Sequence, residues 1–121
     1  MPAHVALEVL HQLMLIEGRA TGLITGTNPA RRLSELPESV RALKECYRDL
    51  SLLTRLGITL LDTSRKAVES TSWYCLSYGL LTNDAALLAV MAEHGLDALA
   101  TADSKLKDIP PFKTYGVSDL R

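Results

Sequence analysis

The N-terminal half of the chain has the apolar spacing of amphipathic helices. Apolar residues recur every third or fourth position from Pro2 to Gly18, which predicts a first helix that begins almost at the start of the chain. Glycines and an Asn-Pro step interrupt the pattern between residues 22 and 29, so this stretch is predicted to be a connector. The spacing returns from Val40 to Leu53 and predicts a second long helix, which Gly57 can end.

The period changes after this second helix. Ile58 to Leu61 is a short, nearly continuous β-prone run, as expected of a strand buried on both faces. Asp62-Thr63-Ser64 then has the composition of a helix cap. One helix is predicted to follow and to break at Gly79, and the next to run from about Thr82 to Gly95.

Two further strands are predicted near the C-terminus. They are Leu96 to Thr101 and, after the Pro110-Pro111 break, Phe112 to Val117. Strands separated by helices imply right-handed crossovers and a parallel sheet. The predicted class is therefore α/β, in a single domain that covers residues 1–121.

Composition narrows the class of protein without indicating a function. With 121 residues, 47% of them hydrophobic and 22% charged, the chain has the size and balance of one globular domain. The absence of a long apolar run or a leader pattern predicts a soluble, cytoplasmic protein. The net charge of −1 predicts no broad basic surface, so any phosphate contact must be local. Cys46 and Cys75 have no CxxC or histidine neighbours and are interpreted as free core thiols.

Three aspartates are candidates for chemistry because ligands collect beyond the carboxyl ends of parallel strands. Asp103 follows the predicted strand Leu96 to Thr101, and Asp84 lies in the first turn of a predicted helix. Together they could offer oxygen ligands to Mg²⁺ or Mn²⁺. Each also has a structural interpretation: helix-start electrostatics for Asp84, and a turn or cap for Asp103. For Asp62, at the end of a predicted strand, capping is the favoured role.

A helix-borne metal site is a less favoured alternative. Glu8 has His4 and His11 on the same face of the first predicted helix. Sites of the Glu-x-x-His kind in helical bundles need the motif twice, and no second copy occurs in the sequence.

Two C-terminal segments carry recognisable motifs: Tyr78 to Ala85 reads Tyr-Gly-Leu-Leu-Thr-Asn-Asp-Ala, and His94 to Asp103 ends in Leu-Ala-Thr-Ala-Asp. These segments resemble the distal half of PIN-domain proteins, many of which are ribonuclease toxins of toxin–antitoxin pairs. In that family an aspartate opens a helix after a Tyr-Gly-Leu turn, and another follows a strand in a Thr-x-Asp motif. The similarity covers roughly residues 57–117. It implies a three-layer α/β/α fold with a short parallel sheet.

The resemblance also implies roles for individual residues. Asp84 and Asp103 match metal-site aspartates, and Thr101 matches the threonine that orders water or ligand. Glu8 matches the family's acidic glutamate, because Pro2 to Leu10 is similar to the helix that carries it. The implied function is Mg²⁺- or Mn²⁺-dependent hydrolysis of RNA.

One feature of the family is missing from the sequence. PIN domains begin with an apolar strand that ends in Asp-x-Asn, whereas no aspartate occurs here before Asp49. The resemblance therefore implies a domain without its N-terminal strand. Three explanations are open: a gene start placed at an internal methionine, a shortened protein rescued by homo-oligomerisation, or a relative without catalysis. The alternative function is a non-catalytic module that oligomerises or binds a partner such as an antitoxin.

Overall fold

The computed structural model describes residues 1–120, without the side chain of Leu120, and these residues fall into two compact units. The first unit contains Met1 and Ala3–Leu60, and the second contains Pro2 and the chain from Leu61 onward. Within the described residues no single helix is long and apolar enough to cross a membrane. Only the helices Arg65–Tyr78 and Thr82–Glu93 meet that test together, as a pair bent by 117° at their break.

The first unit is helical. Its core contains Ile24, Leu33, Leu43 and Cys46, against which the first helix and the connector after it pack several partly buried apolar side chains. The helices are α1 (Ala3–Ala20), α2 (Pro29–Ser34), α3 (Pro37–Ala42) and α4 (Glu45–Arg55).

The predicted second long helix is wrong in one respect, because it is divided into α3 and α4. At the break, Leu43 has an extended backbone (φ −64°, ψ 145°), and its side chain is buried in the core of the unit. The backbone N–H groups of Lys44, Glu45 and Cys46 all donate to the Glu17 carboxylate on α1. The Glu17 side chain, which belongs to another helix, thus caps the N-terminus of α4, and a new helix begins there.

The second unit has two long helices and a small sheet. Its core surrounds the helix Thr82–Glu93, which supplies more buried side chains than any other element, and Leu106, Ile109 and Phe112 close it from the C-terminal segment. The elements are α5 (Arg65–Tyr78), α6 (Thr82–Glu93), β1 (Ala98–Ala100) and β2 (Lys113–Tyr115), with short 3₁₀ helices at Ser104–Leu106 and Val117–Leu120.

The predicted pairing of the last two strands is confirmed. Strands β1 and β2 are parallel, with Leu99 opposite Thr114. Two hydrogen bonds extend the pairing beyond the strands: Lys113 N–H to the Asp97 carbonyl at 2.6 Å, and Thr101 N–H to the Tyr115 carbonyl at 3.0 Å. Six helices and a parallel two-stranded sheet within residues 1–120 confirm the α/β class.

The predicted strand from Ile58 to Leu61 is wrong. Leu61 makes one isolated parallel bridge, with Pro2, and Thr59 and Leu60 are exposed. One bridge is too short to form a ladder of backbone hydrogen bonds, so the run does not form a strand despite its β-prone composition.

Candidate functional site

A hollow lies beyond the carboxyl ends of β1 and β2. Because the strands are parallel, the segments that follow them emerge at the same edge of the sheet. The hollow has a volume of about 240 Å³ and polar walls. It is lined by Thr101, Ala102, Asp103, Lys107, Thr114, Gly116, Ser118 and Asp119.

Thr101 and Asp103 are held in a defined arrangement on the β1 side. Thr101 Oγ1 accepts a hydrogen bond from Asp103 N–H at 3.0 Å. The Asp103 carboxylate accepts one from Lys105 N–H at 2.9 Å and thereby caps the 3₁₀ helix Ser104–Leu106. Both side chains are half-buried. The capping role predicted as an alternative for Asp103 is therefore present, and it fixes a carboxylate at the rim of the hollow.

The β2 side contributes a second carboxylate. Asp119 Oδ2 accepts a hydrogen bond from Gly116 N–H at 2.7 Å, which ties the last 3₁₀ helix to the end of β2. Lys107 supplies the one cationic side chain among the residues that line the hollow. The hollow therefore combines two carboxylates, three hydroxyls and one ammonium group.

Asp84 and Asp62 occupy different surroundings from Asp103. Asp84 lies in the first turn of α6, as predicted, where the helix dipole favours a negative charge, and it is half-buried. It is not among the residues that line the hollow.

The prediction that Asp62 caps α5 is wrong, because Ser64 is the N-cap and accepts from Ala67 N–H, while Asp62 is exposed.

Glu8 lies on α1 in the first unit. Its side chain is exposed and accepts a hydrogen bond from Gln12 Nε2 at 3.1 Å. His11 is also exposed, and His4 is half-buried. Within residues 1–120, no three His, Cys, Asp or Glu side chains form a group that could hold a metal ion.

Comparison with protein-family models gives one match. The model described as PIN domain matches residues 1–110, which spans most of the chain. The chain belongs to the PIN-domain family. No curated protein and no solved structure matches it. PIN domains are generally metal-dependent nucleases.

The donor atoms around the hollow of this PIN domain fit a hard divalent cation. The residues that line it offer carboxylate and hydroxyl oxygens, beside the ammonium group of Lys107, and no sulfur or imidazole. Mg²⁺ is commonly held in proteins by one or two carboxylates while it keeps several waters for a phosphate substrate. Asp103 and Asp119 meet that requirement chemically, whereas a softer metal would prefer thiolate or imidazole ligands.

Sequence reasoning missed Lys107 and Asp119. The signal for Asp119 was available, because the predicted last strand ends just before it, and the ends of parallel strands share an edge. Lys107 carries no such signal, since it lies in the turn after the 3₁₀ helix Ser104–Leu106, and no periodic pattern predicted that turn.

Proposed function

We propose that this PIN domain is a metal-dependent endoribonuclease that hydrolyses RNA phosphodiester bonds at the hollow beyond β1 and β2. Membership of the family supports nuclease chemistry in general. The observation that carries the finer proposal is the placement of Asp103 three residues beyond the end of β1, with its backbone N–H held by Thr101 Oγ1. A carboxylate fixed at a strand end, next to a hollow of oxygen donors, is suited to a cation that binds a phosphate.

The proposed site residues fall into metal ligands and residues that support them or contact RNA. Asp103 would be a metal ligand, directly or through water, with Asp119 as the second carboxylate of the hollow. Asp84 and Glu8, which do not line the hollow, would be further ligands on the family resemblance alone. When bound, Mg²⁺ or Mn²⁺ lowers the pKa of water and stabilises charge on the phosphodiester. Thr101 Oγ1 accepts a hydrogen bond from the backbone N–H of Asp103 and thereby orients Asp103. Lys107, on the same hollow, provides a positive charge for an RNA phosphate.

Asp103→Asn tests the proposal. The amide is close in size to the carboxylate and keeps an oxygen that can accept from Lys105 N–H, but it loses the negative charge. Loss of residues that only support metal ligands typically costs 10- to 100-fold, so loss of a ligand should reduce Mn²⁺-dependent cleavage by about 100-fold or more. The measurement is cleavage of a fluorophore-quencher RNA, with EDTA as the metal-free reference.

Asp97→Asn is the matched control, because Asp97 is an exposed aspartate next to β1 but at the other end of the strand. It should retain cleavage. Asp84→Asn is expected to behave like Asp103→Asn. Cleavage at the unmodified rate by Asp103→Asn would exclude Asp103 from the active site.

A non-catalytic module that binds a protein partner, such as an antitoxin, is the second candidate. One observation favours it: the Asp103 carboxylate is already explained by its cap on the 3₁₀ helix Ser104–Leu106. In that case Asp103→Ala, which removes the cap, would lower the melting temperature, and the unmodified chain would neither cleave RNA nor bind Mn²⁺ in a titration calorimeter.

A further inference from the structure

An open groove lies between α5 and α6 in the second unit. From α5 it is lined by Lys66, Ser70 and Trp73, whose spacing of four and three residues places them on one face of the helix. Ala67 and Ala89 are almost fully buried and form the floor, and their short side chains leave a space of about 300 Å³. We call this space the α5–α6 groove. None of the described residues that line it also lines the hollow that contains Asp103.

The wall of the groove contains the only tryptophan of the chain. Trp73 is 56% exposed. The rings of Tyr74 and Tyr78 contact the indole at centroid distances of 4.9 and 5.9 Å, with interplanar angles of 89° and 79°. Neither tyrosine is parallel to the indole, so neither covers it as a stacked ring would. The two contacts hold the indole in place, and little conformational entropy is lost when another ring stacks on it.

The charges around the groove favour a neutral ring over a phosphate. Among the described residues that line it, Lys66 and Glu93 are charged, and their opposite signs leave no net charge. A phosphate therefore gains little in the groove, whereas a neutral planar group is not repelled. Stacking of a nucleobase on an aromatic side chain needs no positive charge, because every base has a π-face.

Glu93 gives the groove a fixed polar edge. Its Oε1 atom accepts a hydrogen bond from the Ser64 hydroxyl at 2.6 Å, which holds the carboxylate at the end of α6. An ionised carboxylate has further acceptor positions, and carboxylates accept hydrogen bonds from the amino groups of bases. The groove is therefore better suited to a base with an exocyclic amino group than to uracil.

We propose that the α5–α6 groove binds one unpaired nucleobase of single-stranded RNA, which stacks on Trp73 and donates from its amino group to Glu93. The inference rests on the proposed nuclease function, because that function makes RNA the ligand of the protein. A volume of about 300 Å³ is at the lower end for ligand pockets and suits a single base. The contact does not use the cation at the hollow, so it can be measured in EDTA, separately from cleavage.

The fluorescence of Trp73 reports directly on the groove, because no other tryptophan contributes to the signal. A short oligoadenylate added to the full chain in EDTA should quench this fluorescence to saturation. A strand of equal length that lacks bases has the same charge and should not quench it, and a duplex should quench it weakly because its bases are already stacked and paired.

These titrations separate the groove from the hollow. Cleavage in Mn²⁺ by a chain whose fluorescence does not respond to RNA would overturn the groove and leave the nuclease proposal standing. Quenching by oligoadenylate without cleavage would support the groove and contradict the nuclease. Equal quenching by the strand without bases, or no response to any RNA, would overturn the proposal and leave the groove to a different ligand, such as a protein side chain.

Substitution of Trp73 tests the stacking itself. By fluorescence anisotropy of labelled oligoadenylate in EDTA, Trp73→Leu should weaken binding about 5-fold or more, the range for loss of one stacked base, without changing the salt dependence. Trp73→Phe keeps an aromatic ring and should retain most of the affinity. Leu76→Ala is the matched control, since Leu76 is 87% exposed on α5 but does not line the groove. Equal affinities of Trp73→Leu and the unmodified chain would overturn the stacking.

Glu93→Gln tests the polar edge of the groove. The amide keeps an oxygen that can accept from Ser64, but it loses the charge that favours an amino donor. The preference of the unmodified chain for oligoadenylate over oligouridylate should therefore decrease in Glu93→Gln, with native circular dichroism in both. An unchanged preference would remove Glu93 from the contact.

Discussion

At the scale of single residues, the most unusual side chain is Glu17. Its carboxylate lies at the start of α4 and accepts hydrogen bonds from the N–H groups of Lys44, Cys46 and Glu45 at 2.7, 2.8 and 3.1 Å. These backbone donors, Lys44 and Cys46 above all, stabilise the charged form and lower the pKa of Glu17 to about 2. Glu17 therefore does for α4 what an N-cap residue normally does from within the same segment.

Glu17 predicts a defined loss of stability in acid. Its pKa is about 2 in the folded chain and 4.5 without the contacts, so its contribution is complete above about pH 4.5 and is lost as the pH falls towards 2. Glu17→Gln should lower the melting temperature at pH 7. It should also flatten the decline in melting temperature of the unmodified chain between pH 4.5 and 2.

Circular dichroism melts at several pH values measure this effect. Glu8→Gln is the control, since Glu8 is exposed on the same helix and accepts a hydrogen bond from the side chain of Gln12 rather than from a helix start. It should reproduce the pH profile of the unmodified chain. A parallel decline for Glu17→Gln and the unmodified chain would show that the cap does not contribute.

Cys46, beside Glu17, confirms one of the thiol predictions. It is buried in the core of the first unit and is not in a disulfide. Burial, and then the neighbouring Glu17 carboxylate, raise the pKa of the Cys46 thiol to about 11. The thiol stays protonated and unreactive at neutral pH, as expected of a core residue. Cys75 is also free and is only half-buried.

At the scale of elements, the start of α5 depends on Ser64. Its hydroxyl accepts from Ala67 N–H at 3.1 Å and donates to Glu93 Oε1, at the end of α6, at 2.6 Å. Ser64→Ala removes both bonds and should lower the free energy of unfolding by about 1 kcal/mol. Urea denaturation measures this change, with Ser77→Ala, an exposed site late in α5, as the control that should not be destabilised. Equal stability of the two variants would contradict the cap.

The helices and strands that could be predicted from the sequence are those set by residues within the element itself or next to it. Helix α1 follows its apolar spacing, and α5 and α6 end where Gly79 and Gly95 adopt positive φ. Strands β1 and β2 lie inside their predicted ranges, although each is only three residues long. Asp103 and Thr101 were predicted as site residues for the same reason, because both follow β1 closely in sequence and so lie at its carboxyl end.

The elements that were missed depend on partners distant in sequence. The break between α3 and α4 follows from Glu17, and no pattern within residues 37–55 contains that information. Ile58 to Leu61 has strand composition, but a strand exists only where a neighbour forms a ladder with it. Lys107 and Asp119 likewise join the hollow only because β2 returns beside β1.

At the scale of the whole molecule, the balance of charge limits how RNA could bind. Lysine and arginine total 13 against 14 aspartates and glutamates, so the chain has no excess of positive charge. Proteins that neutralise many phosphates release many counterions and lose affinity steeply with salt. In the proposed nuclease, contact with the RNA backbone is instead concentrated at the cation and Lys107.

This charge balance predicts a shallow salt dependence of RNA binding. With one or two phosphate contacts, the slope of log affinity against log salt should be no steeper than about −1.5 for a single strand. Lys107→Gln should reduce the steepness by about 0.7, the value for one phosphate contact. Lys66→Gln, an exposed lysine on α5 outside the hollow, should leave the slope unchanged. Fluorescence anisotropy of a labelled RNA in EDTA gives the three slopes. EDTA removes the cation and keeps the strand intact, so Lys107 is the proposed phosphate contact that remains. A slope near −5 would mean that RNA lies along many more cations than the hollow provides, and an unchanged slope for Lys107→Gln would place the bound phosphate elsewhere.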